Sequence, residues 1–156
     1  MQRAMLLGLA AVLVAGCGGR RQDSTTVPHD SYPSYQAFVS GIKSYPYIAS
    51  AERRARINEG AKLLRRCMTK DEVSGLLGAP DHSEIDFGPK GPNERWLGSN
   101  WVFYISMQSD MVSLKDPRIE IFFDTTDRAH WLVPTGIEGA SEIGAPDVVC
   151  TKIRQT

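Results

Sequence analysis

The sequence predicts an α+β fold: a helical hairpin followed by a three- to four-stranded antiparallel sheet. Three observations carry this. One short helix, Thr69–Leu77, has both ends marked. A weaker helical stripe lies just before it, over Ser50–Arg66. From Asp81 onward the apolar period changes from near 3.6 to two.

The first helix begins at Ser50, whose hydroxyl suits an N-cap, with Glu52 in the first turn. Ala51, Ala55, Ile57, Ala61 and Leu64 form a thin apolar stripe. The basic set Arg53, Arg54, Arg56, Lys62, Arg65 and Arg66 reads as a solvated face in preference to a headgroup-binding one. The second helix opens with a capping box, Thr69-Lys70-Asp71-Glu72, in which hydroxyl and carboxylate each accept from the other residue's backbone N–H. Val73, Leu76 and Leu77 give it one apolar face. Gly78 suits a left-handed C-terminal position, and Pro80 blocks continuation.

Asp81–Asp86 reads as a first strand, followed by a turn-rich loop over Phe87–Ser99. In Asn100–Met107, Trp101, Phe103 and Ile105 alternate with Val102 and Tyr104. In Arg118–Asp124, Ile119, Ile121 and Phe123 share a face. Ala129–Val133 pairs back after a turn. The tail from Pro134 is Gly-rich and ends in Val148-Val149-Cys150.

The N-terminus reads as an address. Arg3 precedes the apolar run Met5–Val14, too short to span a bilayer and of signal-peptide length. It ends in Val14-Ala15-Gly16-Cys17, which resembles the lipobox of bacterial lipoproteins, where Cys17 takes the lipid. Residues 1–16 are then a signal peptide. Residues 17–47 hold the lipidated Cys17, a Gly/Ser/Thr/Pro-rich tether and an aromatic lead-in, and residues 48–156 form one domain. Tyr32, Tyr35, Phe38, Tyr45 and Tyr47 are expected to pack onto the domain or flank a short helix near Tyr35–Ile42, in preference to forming a partner-binding patch.

With Cys17 lipidated, Cys67 and Cys150 remain, and an even remainder in an oxidising compartment suggests a disulfide; two separate buried thiols are the alternative. Eighteen basic and eighteen acidic residues cancel, which excludes a global basic field for nucleic acid.

Cys67-Met68-Thr69-Lys70-Asp71-Glu72-Val73, then Leu76-Leu77-Gly78-Ala79-Pro80-Asp81, resembles the SmpA/OmlA (BamE-like) lipoprotein domain. That family reads roughly Gly-Met-Ser/Thr-x-x-x-Val, then Leu-Gly-x-Pro. Trp101–Tyr104 and Ile119–Asp124 are similar to its following strands, so the likeness covers roughly residues 50–133. Cys67 stands where the family has Gly. The resemblance implies an α-α-β-β-β fold on a lipid-anchored periplasmic protein, facing the periplasm from the outer membrane. Domains of related shape occur in β-lactamase-inhibitor-like proteins.

No Ser elbow, H-E-x-x-H, P-loop or C-x-x-C is present, and the chain reads as a non-enzyme without cofactor or metal. His82, Glu84 and Asp86 would share a strand face, which reads as a polar edge before it reads as a metal or acid/base cluster. His29 lies in the tether, and His130 beside Trp131 reads as strand packing. Trp96, Trp101 and Trp131 read as core or edge anchors. Tyr104 and Phe122 fall on the pleat face opposite the core sets and are the exposed, partner-binding candidates. The expected function is an envelope scaffold or accessory protein, anchored to the membrane by lipid and bound to a protein partner. The alternative is a binding or inhibitor module on the same fold.

Overall fold

The computed structural model describes residues 31–87, 96–145 and 150. The signal segment, Cys17, His29 and the Val148-Val149 pair lie outside the described residues. The elements in order are α1 (Tyr35–Gly41), β1 (Tyr47–Ile48), α2 (Ala51–Ala61), α3 (Lys70–Leu77), β2 (His82–Phe87), β3 (Trp96–Tyr104), β4 (Ser106–Met107), β5 (Arg118–Phe123), β6 (Ala129–Thr135) and β7 (Ile143–Gly144). The fold is α+β. The main sheet has five antiparallel strands in the order β2-β3-β5-β6-β7, not three to four, and β1 pairs with β4 as a separate two-stranded sheet.

The helical hairpin forms where the caps direct it. Ser50 Oγ accepts from Arg53 N, and at Thr69 both halves of the capping box are made. Each such cap is worth about 1 kcal/mol. Gly78 has φ 84° and ψ −161°, a positive-φ glycine conformation but not the left-handed helical one. α2 stops at Ala61, short of the expected Arg66, because Leu63 and Leu64 turn back with tighter bonds to Gly60 and Ala61 carbonyls. That bend carries Leu64 into the core.

The stripe on α2 is partly corrected: Ile57, Ala61 and Leu64 are buried, whereas Ala51 and Ala55 face solvent. Gly60 joins the buried set, because a Cβ there would lie 2.6 Å from Leu77 Cδ2. The missing side chain lets α2 and α3 cross closely. Of the basic set, Arg56, Lys62, Arg65 and Arg66 are exposed as expected, and only Arg53 and Arg54 are half-buried. Arg53 bridges Ala79 O and Asp81, Arg54 donates to Ala49 O, and Arg56 donates to the Ser74, Gly75 and Leu76 carbonyls. Arg56 therefore covers the C-terminal carbonyls of α3, of which Ser74 O also accepts from Gly78 N.

α2 and α3 lie on one sheet face. Ile57, Val73 and Leu77 pack there against Trp101, Phe103, Ile119, Ile121, Phe123 and Leu132. Each large side chain so buried contributes about 1.5–3 kcal/mol. Cys67 and Cys150 form a disulfide with Cα atoms 5.5 Å apart, stapling the tail to the helical turn. Asp124 holds the same corner. Burial alone would raise its carboxyl pKa, but bonds from Thr126, Arg128 and Cys150 hold it below the usual range.

Candidate functional site

The opposite sheet face carries the candidate site. Register places three rows of side chains on it. Tyr104, Arg118 and Thr135 form one, His82, Val102, Glu120 and Val133 the next, and Glu84, Asn100, Phe122 and Trp131 the third. The aromatic lead-in divides this face in two. α1 and β1 lay Tyr35, Phe38, Val39 and Tyr47 over Val102, Tyr104 and Met107, forming a second small core. The packed body thus includes residues ahead of position 48, with Tyr32 set edge-on against Trp101.

Tyr104 is accordingly not exposed. Its pleat face is the expected one, but it is 1% accessible, with its ring parallel to Phe38 at 5.6 Å. Local alternation assigns a face; only the distant α1 decides whether that face meets water. Burial raises the Tyr104 hydroxyl pKa.

Phe122 lies beyond the cover of α1. It stacks on Trp131 at 4.5 Å, and both rings are half-buried. Trp131 Nε1 donates to Glu142 Oε1 at 2.7 Å. Asn100 separates this pair from Glu84 in the same row. The open half therefore combines an aromatic pair with the carboxylates Glu84, Glu120 and Glu142. Asp86 continues the β2 side, its carboxyl pushed up by burial and held back by His130.

Between the open half and the covered half runs a cleft of about 230 Å³ lined by Tyr35, His82, Glu84, Asn100, Arg118 and Glu120. His82 is 4% accessible, edge-on to Tyr35 and stacked near Phe38 and Tyr104. Among the described residues, neither of its ring nitrogens has a hydrogen-bond partner, nor has Asn100 Oδ1. Burial pulls the His82 pKa down to about 4, so the ring is neutral near pH 7. Arg118 Nε donates to Glu120 Oε1 at 2.6 Å, and Nη1 donates to the Ser113 and Asp116 carbonyls.

His82, Glu84 and Asp86 do share a strand face, but no group of three or more His, Cys, Asp or Glu is arranged for a metal among the described residues. His130 is buried with Nδ1 3.3 Å from Ala145 O, and Trp101 lies in the main core. The Trp96 side chain lies outside the described residues. Sequence reasoning missed Asn100, Glu120 and the pairing of Trp131 with Phe122. The alternation that placed Phe122 on this face would have placed Glu120 beside it. Among the described residues no helix is long and apolar enough to cross a membrane. No family model, no curated protein and no solved structure matches this chain.

Proposed function

We propose that this chain is a lipid-anchored protein of the bacterial cell envelope, a non-catalytic scaffold that docks a partner protein on the open half of its sheet. The observation that carries the docking is the stacked Phe122–Trp131 pair, half-buried on the strip that α1 leaves uncovered. Paired aromatics with a polar rim are the composition of interface anchors. The anchoring rests on the lipobox-like Val14-Ala15-Gly16-Cys17, and the outer-membrane, periplasm-facing placement on the SmpA/OmlA (BamE-like) resemblance.

The test is co-purification of the full chain from a bacterium that processes lipoproteins, with Phe122→Ala and Cys17→Ser beside it. Envelope-assembly proteins should co-purify, fall away with Phe122→Ala, and leave the membrane fraction with Cys17→Ser. Capture of a single secreted or surface target instead would favour an inhibitor-type module. Equal capture by Phe122→Ala would refute docking at this face.

A further inference from the structure

We propose that the cleft beside the aromatic pair receives an arginine side chain of the docked protein. This rests on the docking reading above and names the chemistry that the surface selects.

The cleft presents acceptors. Glu84 lies opposite Asn100 on the β2 side, and Glu120 lies opposite Val102 on the β5 side, so carboxylates flank β3 on both sides. Among the described residues no ion-pair partner reaches Glu84. Arg118, the one guanidinium lining the cleft among the described residues, gives Nε to Glu120 Oε1 and Nη1 to two carbonyls. Among the described residues Asn100 Oδ1 is buried without a partner, and so are both nitrogens of His82, of which the neutral ring offers one as an acceptor.

An anion entering here would face the carboxylates of Glu84 and Glu120, with Arg118 already paired to Glu120. An apolar group would leave the acceptors unpaired, at a desolvation cost. A donor-rich cation satisfies both. A guanidinium fits best, because its planar fork bonds carboxylates on two sides while its face stacks on rings such as Tyr35 or Phe122. Charge and aromatic anchor then act together: the pair seats the partner's apolar contact, and the cleft fixes its register.

The full chain, isotope-labelled and purified in detergent, is titrated with an acetylated tetra-arginine peptide and, as control, the neutral isostere tetra-citrulline. The arginine peptide should shift the Asn100 side-chain amide and the Trp131 indole signals saturably, and citrulline should not. Glu84→Gln, a change at an exposed position, should weaken binding about tenfold, and Asn100→Asp should strengthen it. Absence of shifts would overturn the proposal. So would shifts spread over remote acids such as Glu52 and Glu59 that Glu84→Gln leaves unaltered. The two readings separate cleanly. A partner that binds Glu84→Gln normally but not Phe122→Ala refutes the cleft alone. Arginine-peptide binding at Asn100 with no protein docked on Phe122 in cells refutes the docking reading alone.

Discussion

Replacing Tyr104 and Phe122 by alanine should have opposite consequences, although the two residues lie on one sheet face. Tyr104 is 1% accessible and packed between Phe38 and His82 beneath α1. Truncating a buried aromatic leaves a cavity and costs about 3–5 kcal/mol. For a domain of this size the slope in urea is about 2 kcal/mol per molar, so the unfolding midpoint should fall by about 2 M. Phe122 is half-buried and stacked only on its open side, so Phe122→Ala loses about 1 kcal/mol and shifts the midpoint by about 0.5 M. Equilibrium urea unfolding followed by tryptophan fluorescence reads both. Partner binding should follow the reverse order: lost with Phe122→Ala, kept with Tyr104→Ala below its midpoint. Equal midpoints for the two variants would refute the division of the face into covered and open halves.

Other consequences can be checked alongside. Replacing Cys67 and Cys150 by Ser opens a loop of 83 residues; the chain-entropy model assigns about 4 kcal/mol to that closure, seen as a lower urea midpoint. His82 has a folded pKa near 4 against an unfolded value of 6.5. The unfolded chain therefore takes up a proton first on acidification, and stability falls between pH 6.5 and 4 by up to about 3 kcal/mol. His82→Phe should remove that part of the slope in midpoints measured across this range. Arg56→Ala should cost about 1–2 kcal/mol through the freed carbonyls of α3, and Arg56→Lys should not restore it, because one ammonium cannot reach three carbonyls in a planar fork. Gly98→Ala should abolish folding, as judged by circular dichroism, because its Cβ would lie 1.8 Å from Phe123 O.

Much of the fold is legible locally. Thr69 and Glu72 mark α3 by a reciprocal bond between residues three apart, which no distant contact needs to support. Ile119, Ile121 and Phe123 declare their strand and face by alternation. Elements made by pairing alone are not legible. β1, β4 and β7 are two residues each, too short for any period, and exist because a partner strand lies beside them. Arg56 reads as part of a solvated face because its acceptors, the carbonyls of α3, lie about twenty residues away. The site divides in the same way. Phe122 was legible because its face follows from alternation. The burial of Tyr104 was not, because the cover comes from α1, far along the chain. Asn100 and His82 gain meaning only when their unpaired atoms are seen inside one cleft.

Photo-cross-linking from position 122 tests the central claim most directly. A benzoylphenylalanine at Phe122, in the full chain expressed in cells, should trap one envelope protein. The same label at Leu63, exposed beyond α2 on the helical side, should not. One defined adduct from position 122, absent from position 63, is the predicted result. Identical adducts from both positions, or none from position 122, would contradict a docking surface on the open half of the sheet.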